Sequence, residues 1–294
     1  MSIDENINKV TNLVIGGGGI AGLTFYGALK QLHKENIWKH EDIKHIYATS
    51  VGTILAIMIS LKYDWKDLDI YIEKRPWFKI FKWNFSLFVN AIDKRGICDI
   101  EIIKEVINPL LLGMDLNTSI NMKEFYDFTN IECNFMTTEL NTMSIIQISH
   151  KTHPEWLLVD AIYSSCALPI CFSPHIHNEK IYCDGGFLAN LPIKQCIQDG
   201  CLMEETLVIG LVRKVEHNIK EKHTSQFNLF DFLFILLYNL INLANNHLIN
   251  NSIYKEILFN GSNPDFNKAY EFINDEDFRK QLIIYGTDYE INKV

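Results

Sequence analysis

Residues 43–53 read Ile43-Lys44-His45-Ile46-Tyr47-Ala48-Thr49-Ser50-Val51-Gly52-Thr53, and they join an apolar strand to an apolar helix through a serine. A serine on a tight strand-to-helix turn has the geometry of a nucleophile elbow. The turn exposes the hydroxyl, and the helix N-terminus behind it favours developing negative charge. Such a turn needs small residues two positions before and two after the serine, here Ala48 and Gly52. Taken alone, the pattern fits equally well an ordinary junction in which Ser50 caps the helix.

A glycine-rich turn lies upstream of this stretch. Asn12–Ile15 predicts a strand, residues 16–22 read Gly-Gly-Gly-Gly-Ile-Ala-Gly, and an amphipathic helix follows. The turn fits a dinucleotide fingerprint that holds a pyrophosphate at the helix N-terminus. It also fits an oxyanion hole built from free backbone N–H groups. A dinucleotide site expects an acidic residue at the end of the second strand, whereas that strand ends in Ala48-Thr49-Ser50, so the sequence favours the oxyanion hole.

Length and composition define the class of protein. The chain has 294 residues, 48% hydrophobic and 21% charged, which is typical of a globular protein with enough apolar material for a core. A net charge of −9 argues against nucleic-acid binding, which needs clustered Lys and Arg. The seven cysteines form no C-x-x-C pair and no apolar signal segment opens the chain, so we expect a reducing, cytoplasmic location. No Cys or His cluster has ligand spacing, and we expect neither a metal nor another cofactor.

A third informative stretch runs from Leu158 to Pro192. It predicts a helix that stops at Pro169, a strand over Ile181–Cys183, and then the turn Asp184-Gly185-Gly186. An Asp-Gly pair by itself is usually a structural turn. Its functional interest comes from the other motifs with which it occurs.

Taken together, the motifs resemble those of the patatin-like phospholipases. Four stretches occur in the same order and approximate spacing as in that family: Gly17–Gly22, Ala48–Gly52, Ser164–Pro169 and Asp184–Gly186. The resemblance covers residues 10–215 and is far more specific than any one motif. It implies an α/β fold with a central, mostly parallel sheet flanked by helices in a three-layer architecture.

The resemblance also implies an activity, which is calcium-independent hydrolysis of acyl esters in phospholipids or other lipids through an acyl-enzyme intermediate. Carried over position by position, Ser50 is the nucleophile and Asp184 the general base of a Ser–Asp dyad. The implied oxyanion donors are the N–H groups of Gly17, Gly18 and Gly19, and the supporting motif positions are Gly22, Ala48, Gly52, Gly185 and Gly186. Two positions depart from the family pattern: Ala48 replaces a glycine, and Ala21 replaces a basic residue present in many members. Neither change removes a group that the chemistry requires.

Three alternatives remain open on the sequence alone. One is an oxidoreductase that binds FAD or NAD at Gly17–Gly22, and another is a catalytically silent member that binds lipid. The third is a conventional triad, in which a histidine follows Asp184 in the chain. The candidate histidines are His217, His223 and His247, and none stands in a distinguishing motif.

The organisation of the chain follows from its changes in composition. We expect a catalytic domain over 1–215, with an aromatic-rich cap region at about 64–99, and a helical extension over 216–294 that packs on it. Trp, Phe and Lys alternate in the cap region, which suits either rings buried over the active site or peripheral contact with a membrane surface. Leu207–Leu211 is expected to be the last core strand. The apolar stretch Phe227–Leu243 is interrupted by polar residues and is too short for a convincing membrane span, for which about 20 residues are needed. Besides a lipid substrate we expect no nucleic-acid partner, and the oligomeric state is open.

Overall fold

The computed structural model of the chain describes residues 9–81, 93–212, 229–245, 255–261 and 266–289. The strands are β1 Asn12–Ile15, β2 His45–Thr49, β3 Gly96–Cys98, β4 Glu132–Glu139, β5 Ser144–Ile148, β6 Ile170–Phe172, β7 His175–His177, β8 Lys180–Asp184, β9 Thr206–Val212 and β10 Lys255–Asn260. The helices are α1 Gly22–Lys34, α2 Val51–Ser60, α3 Trp65–Lys74, α4 Trp77–Ile80, α5 Ile100–Leu112, α6 Met122–Thr129, α7 Leu158–Cys166, α8 Gly186–Ala189, α9 Ile193–Gln198, α10 Leu229–Asn245, α11 Phe266–Asn274 and α12 Glu276–Thr287.

Eight of these strands form one central sheet. Strands β10, β9, β1, β2 and β4 lie side by side in that order, and every pair among them is parallel. Strands β5 and β8 both pair antiparallel with β4, and β7 pairs antiparallel with β8. Strands β3 and β6 form a separate two-stranded sheet. The expected α/β fold with a mostly parallel central sheet is therefore confirmed.

Helices cover both faces of the central sheet. Successive residues of a strand point to opposite faces, so Leu13 and Ile15 belong to the main apolar cluster, where they pack with α1 and α2. Val14 and Tyr47 belong to the opposite cluster. There they pack with residues from α8 and α9, which are Ala189, Ile193 and Cys196. The three-layer arrangement expected from the resemblance is thus present.

The C-terminal part of the chain contributes to the sheet as well as to the helical layers. Residues 255–260 of β10 pair with residues 207–212 of β9. The expectation that Leu207–Leu211 forms the last core strand is wrong, because a later segment adds a strand at the same edge. A catalytic unit that ended at residue 215 would lack this strand.

Helix α12 packs against α1 at very short range. A Cβ atom built on Gly27 would lie 2.0 Å from the carbonyl oxygen of Ile283, and one on Gly286 would lie 2.0 Å from that of Thr24. Only glycine permits such an approach of two helix backbones. The last helix is therefore an integral part of the layer formed by α1.

Part of the aromatic-rich region is buried in this layer. Trp77 is 5% exposed, and its ring centroid lies 5.7 Å from that of Phe272 in α11. Phe78 beside it is 53% exposed. Trp83, Phe85 and Phe88 fall outside the described residues.

Candidate active site

The turn after β2 has an unusual backbone. Ser50 has φ 54° and ψ −127°, in the left-handed region that disfavours residues with a side chain. Such a conformation costs on the order of 1–3 kcal/mol and persists where surrounding contacts enforce it, most often at functional sites. Here one enforcing contact is the hydrogen bond from the Ser50 N–H to the Ser165 hydroxyl oxygen, 2.9 Å long. The strained serine at a strand-to-helix junction supports the nucleophile-elbow interpretation over that of a simple helix cap.

Gly52 allows the helix after this turn to start close to the neighbouring strand. A Cβ atom at this position would lie 2.4 Å from the carbonyl oxygen of Ile15 and 2.9 Å from that of Gly16. Both contacts are with backbone, which cannot move aside. The methyl group of Ala48 is fully buried and belongs to the main apolar cluster.

Ser165 connects the serine turn to the rest of the site. Its hydroxyl donates to the carbonyl oxygen of Met136 in β4 at 2.6 Å while accepting the Ser50 N–H. Its own carbonyl oxygen accepts the N–H of Gly185 at 3.3 Å. One buried serine on α7 therefore holds together the elbow, β4 and the Asp-Gly-Gly turn.

Strand β4 brings Ser50 and Asp184 together. β2 pairs with residues 132–136 of β4, and β8 pairs with residues 137–139. β5 pairs with residues 135–139 and so occupies the other edge, which leaves β2 and β8 in line along one edge. Their C-terminal ends face each other there, because β2 runs parallel to β4 and β8 runs antiparallel. Thr49 is opposite Met136 and Asp184 is opposite the next residue, Thr137.

The carboxylate of Asp184 is buried and faces the serine. Asp184 is 5% exposed, and its Oδ1 accepts the N–H of Gly186 at 2.6 Å. Burial raises the pKa of this carboxyl group from its ordinary 3.8 to about 6, although interactions with the Ser50 hydroxyl and the Gly186 N–H act in the opposite direction. The residue between Asp184 and Gly186 has to be a glycine, since a Cβ atom on Gly185 would lie 2.1 Å from the Met136 carbonyl oxygen. The structure thus brings the two expected dyad residues within reach of each other.

The glycine-rich loop lies beside the serine. A Cβ atom on Gly17 would be 3.2 Å from the Cβ of Ser50. The N–H of Gly17, however, donates to the carbonyl oxygen of Asn190 at 2.9 Å. For the N–H groups of Gly18 and Gly19, no acceptor is found among the residues that the structure describes. The Gly17 N–H is therefore already hydrogen-bonded within the fold, and Gly18 and Gly19 stay the predicted oxyanion donors.

Asn190 and Asn245 join the two loops that flank the serine. The amide of Asn190 donates to the Gly17 carbonyl oxygen at 3.4 Å. Asn245, at the end of α10, accepts the Asn190 N–H and donates to the Gly186 carbonyl oxygen, each at 2.9 Å. Helix α10 is in this way attached to the Asp184 turn.

Sequence reasoning missed several of these contributors. Ser165 stands in a recognised motif, yet nothing in the sequence assigns its hydroxyl a role. Asn190 and Asn245 lie in unremarkable polar contexts, and only their contacts reveal them. The three triad candidates, His217, His223 and His247, fall outside the described residues. Within the described ranges, no group of three His, Cys, Asp or Glu side chains is placed to hold a metal ion.

Comparison with known proteins identifies a matching family. The model of the family described as Patatin-like phospholipase matches residues 13–197, which include the glycine loop, Ser50 and Asp184. Uncharacterized protein R571 of Acanthamoeba polyphaga mimivirus is 25% identical over 188 residues, covering 63% of this chain and 61% of that protein. Lysophospholipase NTE1 of Kluyveromyces lactis is 25% identical over 204 residues, covering 69% of this chain and 13% of that protein. The chain thus spans less than two thirds of the length of either relative.

Solved structures with a similar arrangement include VipD from Legionella pneumophila. That comparison has a TM-score of 0.49 and 14% sequence identity, and it covers 94% of this chain and 67% of the VipD chain. The structure of the ExoU–SpcU complex from Pseudomonas aeruginosa gives a TM-score of 0.42 and 13% sequence identity. That comparison covers 96% of this chain and 53% of the matched chain.

Proposed function

The chain belongs to the patatin-like phospholipase family, and on that basis we propose that it is a lipid acyl hydrolase acting through Ser50 and Asp184. The observation that carries the proposal is the meeting of three kinds of group at one point. These are a serine on a strained elbow, a buried carboxylate that interacts with its hydroxyl, and a glycine loop in which the N–H groups of Gly18 and Gly19 have no acceptor among the described residues. Family membership also favours hydrolysis over dinucleotide binding at the glycine loop.

The first half of the reaction forms an acyl-enzyme. Asp184 accepts the proton of the Ser50 hydroxyl while Oγ attacks the ester carbonyl carbon. The oxyanion that develops is stabilised by the N–H groups of Gly18 and Gly19, and a donor of this kind contributes roughly 3 kcal/mol in well-studied hydrolases. Collapse of the intermediate breaks the ester bond, and Asp184 returns its proton to the departing alcohol.

The second half regenerates the enzyme. Asp184 accepts a proton from water as the water oxygen attacks the acyl carbon, and the released serine oxygen takes that proton back while the fatty acid leaves. A carboxyl group whose pKa is about 6 is a better base than an ordinary aspartate, and at neutral pH it is still mostly ionised. Burial of Asp184 thus suits the role proposed for it.

Hydrolysis of phosphatidylcholine and lysophosphatidylcholine, measured as fatty acid released, tests the proposal. The lysophospholipid is included because one relative carries the name lysophospholipase. We expect Ser50→Ala and Asp184→Asn each to lower kcat by at least about a thousandfold. The first change removes the group that forms the bond to the acyl carbon, and the second removes the group that transfers the protons. Circular dichroism of both variants should match the wild type.

Other outcomes identify the alternatives. Activity retained in Ser50→Ala would overturn the site assignment. Lipid binding without hydrolysis in the wild type would indicate a catalytically silent member. A collapse of activity on replacing His217, His223 or His247 with alanine would replace the dyad with a triad.

We further propose that α10 makes a peripheral contact with the lipid surface that holds the substrate. Five large apolar residues on this helix are between 40% and 65% exposed: Phe232, Ile235, Leu236, Leu240 and Leu243. Phe232, Leu236, Leu240 and Leu243 are spaced three to four residues apart and Ile235 adjoins Leu236, which puts all five along one side of the helix. The same helix ends in Asn245, which binds the Asp184 turn, so the end of this helix borders the proposed active site. Within the described part of the chain, no helix combines the length and apolar character needed to cross a bilayer.

Co-sedimentation with phosphatidylcholine vesicles tests the membrane contact. Leu236→Gln combined with Leu240→Gln should reduce the bound fraction several-fold, because exposed apolar area drives insertion at the headgroup boundary. Ile284→Gln on α12 is the matched control, since Ile284 is 65% exposed on a different helix. Equal binding of the double variant and the control would contradict the proposed contact.

A further inference from the structure

A cluster of nucleophilic and titratable side chains lies on the α9 side of the sheet, apart from the Ser50 site. Its centre is a pair of cysteines, Cys196 in α9 and Cys201 just after it, both of which are free thiols. Around them stand Tyr47 and His45 from β2, together with Asp199. The proposed hydrolase reaction uses none of these groups.

The end of helix α9 brings the two cysteines into contact. The N–H of Cys201 donates to the carbonyl oxygen of Cys196 at 3.1 Å, and the N–H of Gly200 donates to that of Ile197 at 3.0 Å. Gly200 has φ 86°. These two hydrogen bonds and the left-handed glycine define a Schellman motif, which packs the side chain three positions before the cap against the one two positions after it. In most helices those two positions hold apolar residues, whereas here both are cysteines.

The surroundings of Cys201 favour its thiolate. Hydrogen bonding with the Cys196 thiol lowers the pKa of the Cys201 thiol, burial acts in the opposite direction, and the neighbouring His45 lowers it further. The Cys201 thiol donates to the Tyr47 hydroxyl oxygen at 3.6 Å, and that hydroxyl donates to Asp199 at 2.8 Å.

The two thiols differ in access to solvent. Cys196 is fully buried, whereas Cys201 is partly exposed. Cys98 and Cys171 are also partly exposed, but burial raises the pKa of the first to about 11 and of the second to about 12. Cys201 is thus a partly exposed thiol with a resolving partner directly behind it, which is the arrangement of redox-sensing cysteines.

We propose that Cys196 and Cys201 form a peroxide-sensitive thiol pair, in which Cys201 is oxidised first and Cys196 closes a disulfide. The Cys201 thiolate attacks one oxygen of the peroxide, so that an S–O bond forms, the O–O bond breaks and the released hydroxide is protonated to water. Cys196 then loses its proton and attacks the sulfenic sulfur. The S–S bond forms, the S–O bond breaks, and the second hydroxide leaves as water with that proton. Both sulfur atoms are oxidised and one hydrogen peroxide is reduced to two waters.

Alkylation kinetics on the reduced full-length chain provide the first test, and they require no variant. With iodoacetamide at pH 7, Cys201 should react at least about tenfold faster than Cys98 or Cys171, since the thiolate is the reactive form. Mass spectrometry of tryptic peptides separates these sites. Equal rates at the three cysteines would overturn the proposal.

Oxidation with one equivalent of hydrogen peroxide provides the second test. Cys196 and Cys201 fall on one tryptic peptide, residues 195–213, so their disulfide appears there as a loss of two hydrogens that dithiothreitol reverses. In Cys196→Ser, Cys201 should accumulate as a sulfenic acid that a 1,3-dione reagent traps, and in Cys201→Ser neither product should form. Oxidation that appears first at Cys98 and Cys171, or trapping at Cys196 in place of Cys201, would contradict the proposed order.

Discussion

Asp184 and Ser165 are the two side chains on which the proposed chemistry depends after the nucleophile itself. Asp184 is 5% exposed and Ser165 is fully buried, so water cannot replace the hydrogen bonds of either one. The pKa of Asp184 determines the pH range in which the proposed base is ionised, and the hydrogen bond from Ser50 to Ser165 helps to fix the position of the proposed nucleophile. Each leads to a prediction that a single substitution or a pH series can check.

The pH dependence of hydrolysis should report the ionisation of Asp184. Because the base must be deprotonated to accept the serine proton, kcat/KM should rise with pH, reach half its maximum near pH 6 and level off above it. A carboxyl group in an ordinary environment would place that midpoint near pH 4. The measurement is a pH series of kcat/KM on a soluble ester, and a midpoint near 4 would show that burial does not tune this group.

The same shift predicts how stability changes with pH. The pKa of Asp184 is raised from 3.8 to about 6 on folding, so the folded protein holds this proton more tightly than the unfolded chain does. Its contribution to stability is therefore complete below pH 3.8 and is lost as the pH rises through 6. Asp184→Asn removes that loss, and we expect it to stabilise the protein by up to about 3 kcal/mol at pH 8, with little gain at pH 4. Thermal unfolding at the two pH values checks this, and an equal effect at both would contradict it.

Ser165→Ala should impair both stability and activity. The change leaves the Ser50 N–H and the Met136 carbonyl oxygen without their common partner, which costs about 1–3 kcal/mol of folding free energy. It should also lower kcat, because the strained turn at Ser50 loses a contact that enforces it.

Ser164→Ala is the matched control for that prediction. Ser164 is the adjacent residue and is equally buried, but its hydroxyl bonds only within its own helix, to the Asp160 carbonyl oxygen at 2.7 Å. Urea unfolding and kcat measured on both variants separate the two roles. If Ser164→Ala lowered kcat as much as Ser165→Ala, the hydroxyl of Ser165 would have no special part in the elbow.

Helix α10 supports the proposed active site although it lies far from the site residues in the sequence. It follows β9 by sixteen residues, yet its last residue, Asn245, binds both Asn190 and the Asp184 turn. An element that the sequence presents as a peripheral apolar helix is therefore part of the support of the site. This role depends on side-chain hydrogen bonds over a separation of more than fifty residues, which no local pattern encodes.

Asn245→Ala should reduce activity more than stability. The change removes the acceptor of the Asn190 N–H and the donor to the Gly186 carbonyl oxygen, and we expect kcat to fall about tenfold as the Asp184 turn loses its support. Asn274→Ala is the control, because Asn274 makes the same bond to the carbonyl four residues earlier without touching the site. An unchanged kcat in Asn245→Ala would show that the turn holds its position without α10.

Local patterns were sufficient for most individual elements. β1 at Asn12–Ile15, the helix that stops before Pro169 and the strand over Ile181–Cys183 all follow from residues close in sequence, and the structure contains each of them as β1, α7 and β8. β10 was not recognised, because Lys255–Asn260 follows a long polar stretch and only its pairing with β9 identifies it as part of the sheet. The availability of the Gly17 N–H was likewise misjudged, since its partner lies 173 residues away on Asn190.

On the scale of the whole molecule, the C-terminal residues complete the fold. β10 covers the edge of β9, and α12 packs backbone to backbone on α1. A chain cut after residue 215 loses both, together with α10 and α11. Its exposed strand edge and uncovered apolar helix surface are features that lead to aggregation.

A fragment of residues 1–215 should therefore be insoluble or partly unfolded. The comparison is with the full chain under the same expression conditions, measured by solubility, circular dichroism and ester hydrolysis. The family match ends at residue 197, so the fragment contains all of it and still lacks a strand of the sheet. A folded, active fragment would show that the later segments are dispensable.

Strand β4 contributes no reacting group, yet it determines how far apart the proposed nucleophile and base stand. β2 ends at Thr49 opposite Met136 and β8 ends at Asp184 opposite the adjacent Thr137, so pairing with β4 fixes the register of both strands. A single residue inserted between Met136 and Thr137 would add about 3.3 Å, more than a shared proton can cross. Connecting loops elsewhere can lengthen or shorten through evolution with no such penalty. Genetic insertion scanning should find the junction of Met136 and Thr137 far less tolerant than those loops, since β4 is also buried along its whole length.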